Sequence, residues 1–224
     1  VLPVTDNPVE ALNTALLWLD YAGVAVFAAS GALVAARHKQ DIITFGFFAA
    51  ITGVGGGTLR DLLIDAPVFW VQRPGYIMVC LGIALLAWFL AGFNWRFRAL
   101  AWLDALGISA FSVVGAAKAL SLGVHPFSAM LMGIFTAIFG GVIRDVLAGQ
   151  PNFIVRREIY ISATILGAGL FVGLRLVGLS FWPAGLAGFG AAFALRAVAI
   201  VYGLHLPSFG QKSPHESPHE DKLS

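Results

Sequence analysis

The sequence predicts an all-α polytopic membrane protein: seven transmembrane helices, built as two inverted three-helix repeats plus a seventh helix. Three observations predict it. Of 224 residues, 58% are apolar and only 12% are charged, about half the charge of a typical soluble domain. Seven stretches approach the ~20 mostly apolar residues that a spanning helix needs. Residues 52–67 recur in pattern 84 positions later. This balance excludes an ordinary soluble enzyme, a nucleic-acid-binding protein and a disordered chain.

The spans follow in order. Span 1 covers Thr14–Ala36, with Asp20 its only charge. Span 2 is Ile42–Leu63, span 3 Gly75–Phe93 and span 4 Trp102–Leu122, which carries Asp104 and Lys118. Span 5 is Pro126–Leu147, span 6 Ile159–Val177 and span 7 Trp182–Tyr202, with Arg196 near its end. Short connections make neighbours antiparallel. Loops 1, 3 and 5 hold Arg37, His38, Lys39, Arg96, Arg98, Arg156 and Arg157; the alternate loops hold few cations. Basic loops stay in the cytoplasm, so the N-terminus is expected outside and the C-terminus inside. Trp18, Trp70, Trp102, Trp182 and Tyr202 fall near span ends, where an interfacial belt places them.

The chain therefore divides into an extracytoplasmic segment (1–13), a first repeat (14–93), a second repeat (98–178), a seventh helix (182–203) and a disordered cytoplasmic tail (207–224). Val1–Asn13 lacks the basic region of a signal peptide. The tail is polar and reads SPHE twice, a flexible composition. One cysteine, Cys80, allows no disulfide within the chain.

The repeat carries the most information. TGVGGGTLRDLLIDAP (Thr52–Pro67) matches TAIFGGVIRDVLAGQP (Thr136–Pro151). The same offset pairs Asp20 with Asp104, Gly23 with Gly107, Phe27 with Phe111 and Gly31 with Gly115. Downstream it pairs Phe69, Val71, Arg73, Tyr76 and Ile77 with Phe153, Val155, Arg157, Tyr160 and Ile161. Three spans separate Asp61 from Asp145, so the two lie on opposite membrane faces and the repeats are inverted about an axis in the membrane plane. The pairs Arg60–Asp61 and Arg144–Asp145 must then find local partners: Asp65 and Arg73 outside, and Arg156, Arg157 and Glu158 inside.

Gly55, Gly56 and Gly57 in span 2 match Gly140 and Gly141 in span 5 in depth. Helical glycine costs ~0.8–1.0 kcal/mol against alanine. Clusters of it invite a kink or break. Matched breaks in inverted repeats point to a transport site, whereas glycine alone permits close helix crossing. Thr52 and Thr136, one turn earlier, either line a pore or bond back to the preceding turn. Lys118 is costly in a membrane, which marks a pathway, a gate or an anionic-lipid contact unless it snorkels. Ser30 and Ser112 are further pore-lining candidates. Asp20 and Asp104 suit the helix dipole of a first turn better than ion coordination. Arg196 reads as an interfacial or structural cation. No phosphate-binding loop, HExxH motif or nucleophilic triad is present, so no enzyme, metal or cofactor is expected beyond a permeating potassium or sodium ion.

SGALVAAR (Ser30–Arg37), GGGTLRDLL (Gly55–Leu63), VGAAKAL (Val114–Leu120) and the Gly140–Leu147 motif resemble the prokaryotic trimeric intracellular cation (TRIC) channel family, also described as a duplicated YadS-like "glycine transporter" domain. The resemblance covers about Leu16–Tyr202. It implies a homotrimer with a cation pathway inside each protomer, spans 2 and 5 bent at their glycines, and a bacterial or archaeal inner membrane with lipid partners. Animal members carry a basic lipid-binding motif in span 4; Ala117 and Ala119 around Lys118 do not reproduce it. The expected activity is a potassium-permeable channel; the alternative is a secondary transporter of glycine or another small zwitterion.

Overall fold

The structure is a computed structural model that describes residues 8–90, 96–149 and 159–204. Its helices are α1 (Pro8–Arg37), α2 (Ile42–Leu63), α3 (Phe69–Gln72), α4 (Gly75–Leu90), α5 (Arg96–Ser121), α6 (Pro126–Leu147), α7 (Ile161–Leu176) and α8 (Phe181–Tyr202). Stretches within five of them are long and apolar enough to cross a membrane: Leu17–Arg37, Ile42–Leu63, Ala99–Ser121, Pro126–Leu147 and Phe181–Tyr202. α4 and α7 are apolar but shorter, at 16 residues each. The expected set of seven thus divides into five full-length helices and two shorter ones. The one-turn α3 was not foreseen. The tail and the cations Arg156 and Arg157 lie outside the described residues.

Local chemistry explains the helix ends, and it repeats. Asp41 caps α2 by accepting the Thr44 N–H at 2.8 Å, and His125 caps α6 by accepting the Phe127 N–H at 3.3 Å ahead of Pro126. These satisfy donors that a helix start leaves open. α1 and α5 both stop through a left-handed residue, Lys39 (φ 52°) and Gly123 (φ 78°). The next N–H then reaches back to Ala35 or Ala119, at 3.1 Å in both cases. α2 and α6 are followed by the left-handed Asp65 (φ 52°) and Gly149 (φ 61°). Left-handed closure satisfies orphan carbonyls.

The core is organised by contacts that return on themselves at the 84-residue offset. Phe27 stacks on Phe111 with ring centroids 5.3 Å apart. Gly23 lies against Phe111 while Gly107 lies against Phe27. Gly56 abuts the Thr136 carbonyl while Gly140 abuts the Thr52 carbonyl. Residues i and i+84 thus meet across a pseudo-twofold axis at the α1–α5 and α2–α6 crossings. α8, which has no counterpart, packs on α5 and α7. Apolar side chains such as Ile43, Met78, Phe89 and Leu186 are exposed, as a lipid-facing surface requires.

Two expectations need correction. Of the kink or break expected at Gly55–Gly57 and Gly140–Gly141, the break is absent: α2 and α6 run through them as uninterrupted α-helices. A side chain on Gly56 would sit 2.1 Å from the Thr136 oxygen, and one on Gly140 would sit 2.7 Å from the Thr52 oxygen. These two glycines let the backbones touch, the close-crossing role. Asp20 and Asp104 are not in first turns either. α1 begins at Pro8 and α5 at Arg96, which places both carboxylates in helix interiors, beyond the reach of the N-terminal dipole.

Candidate functional site

Two charge clusters flank the central crossing. In the second repeat, Arg144 is fully buried on α6. Its Nε donates to Asp145 at 2.8 Å, and its two terminal nitrogens fork onto Asp104 of α5 at 2.6 and 3.1 Å. Ser30 of α1 accepts from Arg144 and donates to Asp104 at 3.0 Å. α8 contributes Arg196, 1% exposed, whose guanidinium lies over the Tyr160 ring at 5.3 Å. Arg196 is therefore a buried member of this cluster and not an interfacial cation. A bidentate, hydrogen-bonded pair is the form in which buried charge is tolerated.

The first repeat uses the same residues differently. Arg60 Nε donates to Asp61 at 2.8 Å, as Arg144 does to Asp145. Lys118 of α5 donates to both Asp61 oxygens, at 2.9 and 3.0 Å. The Phe69 N–H also donates to Asp61, at 3.0 Å. The Arg60 terminal nitrogens are buried with no hydrogen-bond partner among the described residues, and the guanidinium lies 5.8 Å from the Phe69 ring centroid. Asp20, which matches Asp104, makes no hydrogen bond or ion pair among the described residues; it lines a cavity of about 440 Å³ with Gln72, Arg73, Tyr76, Lys118 and Ser121. Lys118 sits 5.6 Å from the Phe69 ring centroid, and Trp70 donates to Thr58 at 2.9 Å, fixing the α3 turn over the cluster. The local partners expected for the Arg60–Asp61 pair do not take that place: Asp65 and Arg73 are both exposed, and Lys118 pairs with Asp61 because the end of α5 lies beside the end of α2.

The clusters occupy opposite ends of α5. Asp104 and Lys118 are 14 residues apart, roughly 21 Å of helix. Between them the core is closed. Thr52 and Thr136 are buried. The Thr136 hydroxyl bonds back to the Met132 carbonyl, while the Thr52 hydroxyl has no hydrogen-bond partner among the described residues. Ser112 bonds back to Ser109 and its hydroxyl packs toward Gly167 of α7, away from the α2–α6 contact. Of the candidates named from sequence, Arg60, Asp61 and Lys118 converge at one end, Ser30, Arg144 and Asp145 at the other, and Thr52, Thr136, Gly56 and Gly140 at the crossing. Gly55 and Gly57 face Ile143 and Phe69, and Gly141 faces Tyr160.

Sequence reasoning missed the roles of Asp104, Asp20 and Phe69. The signal for Asp104 was present: it is the one acid in span 4, at the depth where an inverted repeat brings the Arg144 end of span 5.

The model of the family described as "Glycine transporter" matches residues 17–92 and again 101–175, so a single model fits both halves at nearly the 84-residue offset. A UPF0126 membrane protein of Vibrio cholerae is 38% identical over 206 residues, covering 89% of this chain and 85% of that protein. The UPF0126 inner membrane protein YadS of Escherichia coli K12 is 36% identical over 196 residues, 86% of this chain and 95% of that protein. Among solved structures, the TRIC trimeric intracellular cation channel orthologue of Rhodobacter sphaeroides superposes with a TM-score of 0.83 at 49% identity, covering 85% of this chain and all of that one. A prokaryotic TRIC channel crystallised in 0.5 M KCl gives 0.79 at 28% identity, covering 87% and 100%.

Proposed function

The chain belongs to the family described as "Glycine transporter", with the fold of prokaryotic TRIC channels, and from that premise we propose that it is a passive, potassium-permeable channel for monovalent cations without enzymatic activity. Seven helices span the inner membrane, α4 and α7 included, as two inverted repeats plus α8. The N-terminus faces outward, and three copies assemble. Each protomer carries its own pathway between α2 and α6, lined further by α1 and α5.

One observation carries the reading: a polar cluster at each end of a single crossing where two buried threonines and two glycines meet backbone to backbone. The described conformation is closed there. Opening requires α2 and α6 to part, which exposes the Thr52 and Thr136 carbonyls and hydroxyls, oxygen ligands suited to a desolvated cation. Lys118 stands over the first-repeat entrance as a fixed positive charge that keeps cation binding weak enough for release. Single-channel recording of purified protein under a potassium gradient tests this: cation-selective unitary currents support it, and silent bilayers overturn it.

The cavity of the first repeat supports a second reading, a transporter of glycine or a similar zwitterion. Asp20 offers an anion to an ammonium group, and Arg73 and Lys118 offer cations to a carboxylate. Saturable uptake of labelled glycine into liposomes without ohmic current selects it over the channel.

A further inference from the structure

The two repeats hold the same three charged residues in two arrangements. In the second repeat Arg144 bonds Asp145 through Nε and forks its terminal nitrogens onto Asp104. In the first, Arg60 keeps the Nε bond to Asp61 and its guanidinium lies 5.8 Å from the Phe69 ring centroid, but its terminal nitrogens are buried with no hydrogen-bond partner among the described residues, and Asp20 stands free in the cavity wall.

Two side chains outside the trio differ between the repeats, and both push the same way. Ser30 bridges Asp104 and Arg144 and so reinforces the fork; its counterpart is Val114, which has no hydroxyl. Lys118 competes for Asp61; its counterpart is Val34, which brings no cation from α1. The fork is thus supported at one end and opposed at the other by one residue from each of α1 and α5.

We propose that the first-repeat trio is a latch in which Arg60, keeping its bond to Asp61, takes Asp20 as a second carboxylate. When Lys118 leaves Asp61, Arg60 turns its terminal nitrogens onto Asp20, draws α1 against α2, and closes the cavity as Arg144 and Asp104 have closed the other end. The exchange leaves no carboxylate stranded. Asp61 retains the Arg60 Nε bond and the Phe69 N–H. Asp20 gains the partner it lacks. Lys118, whose side chain is 25% exposed, is the member that water reaches most readily after release. Each arrangement satisfies what the other leaves open, the condition for two states of similar free energy.

The inference rests on reading this cavity as the channel entrance, but its test does not use ion flux. The structure of the Val114→Ser/Lys118→Val variant, which places the second repeat's side chains at these two positions, is expected to show an Arg60 terminal nitrogen within about 3.2 Å of the Asp20 carboxylate. Terminal nitrogens that stay unpartnered overturn the latch. Independently, Leu17→Cys on the cavity wall, in a Cys80→Ala background, reports access by its rate of modification with a water-soluble thiol reagent. Adding Lys118→Val alone is expected to slow that rate about tenfold or more, as for a minor state made dominant. An unchanged rate overturns the proposal. Silent bilayers combined with a formed Arg60–Asp20 fork would remove the channel reading and leave the latch standing.

Discussion

Replacing Gly56 by alanine tests the α2–α6 contact directly. The added Cβ would lie 2.1 Å from the Thr136 oxygen, where ordinary contacts begin at 3.4 Å. The neighbour is backbone and cannot rotate away, so the helices must part by roughly 1.3 Å, the difference between those two distances. Overpacking of this kind costs ~1–3 kcal/mol, set against ~0.8–1.0 kcal/mol gained from alanine's helix propensity. The net expectation is destabilisation of up to about 2 kcal/mol, the gap between those ranges. Gly140→Ala, at 2.7 Å from the Thr52 oxygen, is milder, and Gly82→Ala, with no atom within 4 Å, is neutral or stabilising. Thermal unfolding in detergent ranks the three, at about 2–4 °C per kcal/mol for a chain of this length. In bilayers, Gly56→Ala also wedges the closed crossing and raises open probability. If Gly56→Ala melts with Gly82→Ala, the backbone contact is not what holds the two repeats together.

Asp104→Asn removes the counter-charge of a fully buried guanidinium and one of its two accepting oxygens, and is expected to cost ~3–5 kcal/mol; Asp20→Asn, which breaks no bond, leaves the melting temperature nearly unchanged. Lys118→Met releases Asp61 and lets Arg60 turn onto Asp20, so it is expected to lower the open probability of single-channel potassium currents under a potassium gradient. At the α2 start, the Thr44 N–H holds the Asp41 carboxyl below its usual range. A lowered folded-state value stabilises above the unfolded one, near 3.9, and that contribution fades as pH falls through the lower folded value. Asp41→Ala therefore lowers the melting temperature at neutral pH and flattens its decline on acidification.

Much of this architecture is legible in the sequence because the duplication left chemically distinctive residues at one offset. Asp, Arg, Gly and Phe cannot be matched 84 residues apart by hydropathy alone, and the contacts that Gly23, Gly56, Gly107 and Gly140 make across the axis follow from it. Which of the two glycine roles holds, break or close crossing, was not legible. A run such as Gly55–Gly57 breaks a helix in isolation, but here a partner helix packs on the bare backbone and the hydrogen bonds persist. The ion pairs were missed for a related reason. Local sequence offers Arg73 to Asp61, whereas the fold brings Lys118 from a helix 57 positions away. The division of labour between Arg60 and Arg144 depends on Ser30 and Lys118, residues that only three-dimensional packing joins to them.

The most direct test of the inverted duplication uses two cysteines at matched turns, Asp65→Cys and Gly149→Cys, each in a Cys80→Ala background. Both positions are exposed and both are left-handed. A membrane-impermeant thiol reagent applied to sealed right-side-out vesicles should label position 65 and spare position 149, with the pattern reversed in inside-out vesicles. Labelling of both from one side would contradict the two-ended arrangement from which the pathway is argued.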